Sequence, residues 1–180
     1  NLNTASGDTT RLAVLRLGSN TVPVAFPQEA TLDEDHPLTL TLDGQDPDGQ
    51  SLTTIVETLP ERGTLYQTAD GVTPGPAFES VPMVVSNVER RVIFRPWRNE
   101  HGSNYASFQW RLRDPRTNSG LARVTVHVLP VNDPPVAVPD RVGVEPGQAS
   151  VLIDVVANDE DADGESLTVT GLTQPLRGRV

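Results

Sequence analysis

The chain has 180 residues, a formal net charge of −10 and no cysteine, and all 14 of its basic residues are arginine. The acidic balance argues against nucleic-acid binding, since few cations could neutralise a phosphate backbone, and the lack of cysteine excludes disulfides and thiolate chemistry. No run of about 18 apolar residues is present, so we expect no membrane insertion in this segment.

Short segments of alternating hydrophobicity lie between 16 prolines and 14 glycines, which predicts an all-β chain. In chain order the predicted strands are Leu38–Leu42, Arg90–Arg95, Phe108–Arg113 and Ala122–Val128. Alternation with one polar face is typical of antiparallel sheets that have one face packed and one wet. We expect a β-sandwich with one core formed by Leu38, Leu40, Leu42, Phe94, Phe108, Trp110, Leu112, Val124, Val126 and Val128.

The sequence repeats itself at a period that suits a sandwich domain of about 100 residues. Pro23-Val-Ala25 recurs as Pro135-Val-Ala137, and Asp46-x-Asp-Gly-x-Ser-Leu52 recurs as Asp161-x-Asp-Gly-x-Ser-Leu167. The same motifs return in the same order, so the sequence predicts tandem domains.

The repeats divide the chain into three parts. We predict the C-terminal strand of a preceding repeat in residues 1–20, a complete β-sandwich repeat in residues 21–132, and the N-terminal part of a following, truncated repeat in residues 133–180. A strand separated from its sheet is not stable alone, so we expect the chain to be part of a much longer protein.

The repeated acidic turns are candidate calcium ligands, because calcium takes six to eight oxygen ligands from carboxylates, carbonyls and water. Asp159-x-Asp161-x-Asp163-Gly164 matches the first half of an EF-hand loop, but Thr170 stands where the bidentate glutamate should be. The alternative is an ordinary polar β-turn, since Asp-Pro-Asp-Gly is good turn chemistry without any ion.

Several motifs together resemble the cadherin-like and bacterial Ig-like tandem repeats of large extracellular surface proteins. They are Asp33-Glu-Asp-x-Pro37, Arg91-Val-Ile-Phe-x-Pro96, Asn99-x-x-Gly-Ser103, Phe108-x-Trp-x-Leu-x-Asp114, Asn132-Asp-Pro-Pro135 and Asp161-x-Asp-Gly164. The resemblance implies tandem antiparallel β-sandwich domains with calcium between consecutive domains.

The resemblance also implies which residues would hold calcium. The first junction would use Asn20, Asp46, Asp48 and Asp114, and the second junction would use Glu34, Glu100, Asn132, Asp133, Asp161 and Asp163. Thr21 replaces a linker aspartate at the first junction, and Asn99-Glu100 stands where animal cadherins have Leu-Asp-Arg-Glu.

Other reactive side chains point to no active site. His36, His101 and His127 lie in separate segments without metal-binding spacing, so we interpret them as surface or turn residues. No nucleophile elbow, phosphate loop or dinucleotide motif is present. Trp110 is expected in the core by its phase in the strand, whereas Trp97, between Arg95 and Arg98, could stack on a sugar or cover a pocket.

The sequence therefore predicts a non-enzymatic structural spacer or adhesion repeat of an extracellular surface or filament protein. Its expected partners are neighbouring repeats and other surface subunits, and calcium is a possible stiffener of the junctions. The alternative is a carbohydrate- or protein-binding module appended to a secreted enzyme.

Overall fold

The computed structural model describes residues 19–176, so nearly all of the strand predicted in residues 1–20 lies outside the described part. Ten strands and no helix are found in the described part, and nothing in it could cross a membrane as a helix. The strands are β1 Val24–Ala25, β2 Gln28–Asp33, β3 Leu38–Thr41, β4 Gly44–Gln45, β5 Thr53–Val56, β6 Thr64–Gln67, β7 Met83–Val84, β8 Arg91–Arg95, β9 Gly102–Arg113 and β10 Ala122–Leu129.

The strands form two main sheets that share one core. One sheet has the order β2-β10-β9-β5-β7, the other has the order β3-β8-β6, and β1 pairs with β4 in a small third sheet. Buried side chains from both main sheets belong to a single hydrophobic cluster. The predicted all-β, Ig-like sandwich is therefore confirmed.

The longest strands follow the predicted alternation. In β9 the side chains of Phe108, Trp110 and Leu112 are buried while the residues between them are half-buried, and β10 buries Val124 and its alternate neighbours. Because successive side chains of a strand point to opposite faces, this pattern confirms the predicted phase. The predicted core is found as one cluster, with Leu38 and Leu40 packed against its edge as half-buried residues.

One strand pair departs from the predicted antiparallel arrangement. β2 runs parallel to β10 over six paired residues, from Gln28 beside Val124 to Asp33 beside Leu129. Since the first long strand and the last strand run in the same direction, the chain enters the sandwich at one end and leaves it at the other. β10 spans about 25 Å at the usual rise per residue, which sets the scale of this separation.

The segment from 133 to 176 is mostly exposed. Its only described strand contact is an isolated bridge between Val136 and Glu160, made by two backbone hydrogen bonds of 2.8 and 3.1 Å. Apolar side chains such as Val142, Val144 and Leu152 are exposed. This segment has not buried the apolar residues that a sandwich would place in its core.

Candidate functional site

The two predicted ligand sets lie at opposite ends of the sandwich. Asn20, Asp46, Asp48 and Asp114 lie where the chain enters, beside the end of β9 and the start of β10. Glu34 follows β2 and contacts the chain just after β10, where it leaves. The parallel pairing of β2 with β10 therefore separates the first junction from the second.

At the first junction, hydrogen bonds fasten the incoming chain to the sandwich. The amide Nδ2 of Asn20 donates to Asp114 Oδ2 at 2.9 Å, and Asn20 Oδ1 accepts from Gln50 Nε2 at 2.5 Å. The backbone amide of Thr21 donates to Asp48 Oδ2 at 2.5 Å. Three segments that are distant in sequence thus meet around Asn20.

The acidic turn of the first junction has one oxygen free. Asp46 Oδ1 accepts the backbone amides of Asp48 at 2.7 Å and Gln50 at 3.3 Å, an Asx-type turn closed at Gly49 with φ of 71°. Asp46 Oδ2 is buried, and no hydrogen-bond partner for it is found in the described part of the chain. A buried carboxylate oxygen usually has a partner, so this atom could accept a further ligand.

The acidic turn at the second junction repeats this geometry. Asp161 Oδ1 accepts the amides of Asp163 at 2.9 Å and Glu165 at 3.3 Å, and Gly164 has φ of 72°. The amide of Asp133 donates to Asp163 Oδ2 at 2.6 Å. This bond matches the one from Thr21 to Asp48, so the same linker-to-turn contact occurs at both junctions.

Asp114 is the most strongly held acid of the first junction. Its side chain is buried, and it accepts hydrogen bonds from the backbone amides of Arg116 and Thr117, the Thr117 hydroxyl and Asn20. Burial alone would raise the pKa of Asp114, but the hydrogen bonds outweigh it and lower the pKa to about 2.

The depressed pKa predicts a loss of stability in acid. A carboxyl group whose pKa is lower in the folded state stabilises the fold above its ordinary pKa of about 3.9, and this contribution is lost as the pH falls toward 2. We expect Asp114→Asn to be less stable than the parent at pH 7, with the difference shrinking between about pH 4 and pH 2. Urea unfolding across this range measures it, and Asp140→Asn, at an exposed site, is the control. A difference that is constant with pH would contradict the prediction.

At the second junction, Glu34 anchors the outgoing chain. Its side chain is 2% exposed, and Oε1 accepts the backbone amide of Val131 at 2.7 Å. The backbone amide of Glu34 also donates to the carbonyl of Leu129 at 2.9 Å. Asn132 makes a hydrogen bond within the linker, in which its Nδ2 donates to the carbonyl of Asp133 at 3.0 Å.

Glu100, the other acid predicted for the second junction from the sandwich side, binds an arginine and a tyrosine of the sandwich instead of the linker. Its Oε2 accepts from Arg62 Nη2 at 2.9 Å and from the Tyr105 hydroxyl at 2.8 Å, and the Arg62 guanidinium lies 4.5 Å from the centre of the Tyr105 ring. Burial and the neighbouring Glu100 raise the pKa of Tyr105.

The acids of the two junctions do not by themselves make a complete metal site. Within residues 19–176, no group of three or more histidine, aspartate or glutamate side chains is placed to hold a metal ion. Calcium at either junction would therefore also need carbonyl oxygens or water.

Residues 132–180 match the family model of a bacterial Ig domain. The match covers less than a third of the chain and supports a bacterial Ig-like domain at this end of it. Bacterial Ig domains are structural or adhesion-type modules that often occur in surface proteins. Comparison with curated proteins gives no match to this chain.

Outside the bacterial Ig match, the structure adds residues that the sequence did not single out. Gln50 links Asn20 to Asp46 of the acidic turn, because its side chain donates to Asn20 and its backbone amide donates to Asp46. The Thr117 hydroxyl donates to the Asp114 carboxylate. The spacing Asp114-x-x-Thr117 is typical of a side-chain-capped turn and could have indicated the second of these. Gln50 has no comparable signal, because its partner is 30 residues away.

The histidines and tryptophans considered in the sequence analysis lie away from the acidic turns. His127 Nδ1 accepts the amide of Asn104 at 3.1 Å, and His36 Nδ1 lies 2.9 Å from the carbonyl of Glu34. Trp97 is 48% exposed, and its backbone amide donates to the Tyr105 hydroxyl. Trp110 is fully buried, so the structure separates the two tryptophans as the sequence predicts.

Proposed function

We propose that the chain is a spacer segment of a large extracellular surface protein, in which bacterial Ig-like sandwiches follow one another end to end. The observation that carries the proposal is the parallel β2–β10 pair, which puts the incoming and outgoing chain at opposite ends of the sandwich. A domain with this geometry adds length each time it is repeated. The repeated linker-to-turn hydrogen bonds of Thr21 with Asp48 and Asp133 with Asp163 support the same arrangement at each junction.

We further propose that calcium stiffens these junctions. At the first junction the unpartnered Asp46 Oδ2 fits a cation, and Asp48, Asp114 and Asn20 carry further oxygen atoms around the same linker. At the second junction Asp161 and Asp163 share one turn and Asp133 bonds to that turn, so carbonyl oxygens or water would have to complete the site, whereas Glu100 is held by Arg62 and Tyr105. A bound cation would offset the repulsion between these carboxylates. The affinity expected for an extracellular calcium module is about 10⁻⁴–10⁻³ M.

Calorimetric titration of the 180-residue chain with calcium tests whether the two junctions bind this ion. We expect binding by the parent chain and separate losses in two double variants, Asp46→Asn with Asp48→Asn and Asp161→Asn with Asp163→Asn. Asparagine keeps the size and turn-forming tendency of aspartate but removes the charge. Parent-like binding by one double variant would remove that turn from the proposed site, and no binding by the parent chain would refute calcium at both junctions.

The spacer itself is tested separately by small-angle scattering. A chain of several repeats should give the extended profile of domains joined end to end, and calcium should narrow the range of angles at the junctions. A compact profile would contradict the spacer. An extended profile that is equally flexible with calcium and with a chelator would contradict only the stiffening by metal.

A further inference from the structure

One cleft at the second junction is lined by the sandwich on one side and by the following segment on the other. Its volume is about 360 Å³. Arg98 and Asn99 line it from the sandwich. The following segment contributes Asp133, Pro134, Val136, Glu160, Asp161 and Ala162.

The charges that line this cleft are unequal. Asp133, Glu160 and Asp161 contribute three carboxyl groups, and Arg98 is the one cationic side chain among the lining residues. The chain has no lysine, so its permanently charged basic side chains are all arginines. Opposite charges attract across a distance set by the Debye length, which is about 10 Å at 0.1 M salt.

The side chain of Arg98 is available for this role. It is exposed, its Nε donates to Asn99 Oδ1 at 3.3 Å, and no ion pair of Arg98 is found among the described residues. Arg62, in contrast, is paired with Glu100, and Arg111 is paired with Glu57.

The turn that carries Arg98 is fixed to the sandwich on both sides. Before it, the amide of Trp97 donates to the Tyr105 hydroxyl at 3.1 Å, and after it, the amide of Asn99 donates to Asp35 Oδ1 at 3.0 Å. Asn99 has φ of 54°, a left-handed conformation that asparagine tolerates. The position of the Arg98 backbone relative to the cleft is thereby held, and only its side chain needs to order.

We propose that Arg98 is a built-in cation of the second junction, whose guanidinium attracts the Glu160–Asp161 turn and restrains the junction when no metal ion is bound. This inference rests on the proposed spacer function and is independent of calcium. The partner surface is the acidic turn of the following Ig-like segment of the same chain. An exposed ion pair is weak and is screened by salt, so the restraint depends on ionic strength.

Distance measurements between two spin labels test this proposal. The chain has no native cysteine, so Ser80→Cys on the sandwich and Ser166→Cys beside the acidic turn, both at exposed positions, can be labelled selectively. The distance distribution is measured in a chelator at low salt for the parent, Arg98→Gln, Arg98→Lys and Arg95→Gln. Arg95 is the matched control, because it is also exposed and lines a different cleft with Asp35, Pro96 and Arg98.

We expect Arg98→Gln to broaden the distribution to the width that the parent shows at about 1 M salt, where the Debye length is about 3 Å. Arg98→Lys should stay narrower than Arg98→Gln because it keeps the charge, and Arg95→Gln should match the parent. Equal widths for Arg98→Gln and the parent, or equal broadening by Arg95→Gln, would overturn the proposal. A parent distribution that is broad in chelator would also overturn the proposal, and one that is broad in calcium as well would in addition count against the restrained junctions of the spacer.

Discussion

Replacing Trp110 with alanine is expected to lower the free energy of unfolding of the sandwich by about 3–5 kcal/mol. Trp110 is 0% exposed and lies in β9, which pairs with β10 on one side and β5 on the other. Its removal leaves a cavity between the two sheets that neighbouring side chains can fill only in part. Since domains of this size are stable by about 5–15 kcal/mol, this loss brings the sandwich close to unfolding.

Urea unfolding followed by circular dichroism measures this effect. Trp97→Ala is the matched control, because it removes the same side chain from a position that is 48% exposed, where a change within about 0.5 kcal/mol is expected. Trp110→Phe should cost less than Trp110→Ala, because it keeps a ring in the core and removes an indole N–H that has no partner among the described residues. Equal destabilisation by Trp97→Ala and Trp110→Ala would contradict the assignment of Trp110 to the core.

The predicted core follows from alternation, which is a local property of the sequence. From Ala106 to Arg113 in β9 and from Ala122 to Val128 in β10, every second residue is apolar and the residues between them are polar, so only one face can be buried. The burial of Phe108, Trp110 and Leu112 could therefore be predicted without knowing their neighbours. Alternation says nothing about Trp97, which lies outside any strand; its neighbours Arg95 and Arg98 were the sequence signal, and the structure leaves it 48% exposed.

The parallel partner of β10 could not be predicted in this way. β2 has the sequence Gln-Glu-Ala-Thr-Leu-Asp, in which only Ala30 and Leu32 are apolar, so its periodic signal is weak. Its pairing with β10 joins residues almost a hundred positions apart, from Gln28 beside Val124 to Asp33 beside Leu129. Strand direction depends on the path of the whole chain rather than on the residues of either strand.

The candidate junctions were predictable as far as they repeat. Repetition identified Asp46 and Asp48, the family resemblance added Asn20, and the structure joins the three through direct or shared hydrogen bonds. Glu100 came from family resemblance, which gives its position along the chain but not its partner. The guanidinium that holds it belongs to Arg62, 38 residues away, and is packed on the Tyr105 ring by tertiary structure.

Replacing Gly63 with alanine is expected to lower the free energy of unfolding by about 2–5 kcal/mol, as the sum of two effects. Gly63 has φ of 76°, a left-handed conformation that costs an L-residue about 1–2 kcal/mol. A Cβ atom at this position would also lie 2.6 Å from Phe94 Cζ and 2.7 Å from the carbonyl oxygen of Arg95. Phe94 is fully buried, so its ring could move away only by disturbing the core, at a typical overpacking cost of about 1–3 kcal/mol.

Gly49→Ala separates these two effects. Gly49 has φ of 71°, but no atom lies within 4 Å of the position that a Cβ would occupy. This variant should therefore show the conformational cost of about 1–2 kcal/mol alone. Urea unfolding of both variants against the parent gives the packing cost as the difference between their losses of unfolding free energy.

A second control addresses the neighbouring ion pair. Gly63 lies one residue from Arg62, so the Arg62–Glu100 pair could also move. Arg62→Gln removes that pair without adding a Cβ atom, and it should cost less than Gly63→Ala because exposed ion pairs contribute about 0–1 kcal/mol. Equal costs for Gly63→Ala and Gly49→Ala would show that Phe94 and the backbone at Arg95 yield without penalty, and the close packing at this turn would then not contribute to the stability of the sandwich.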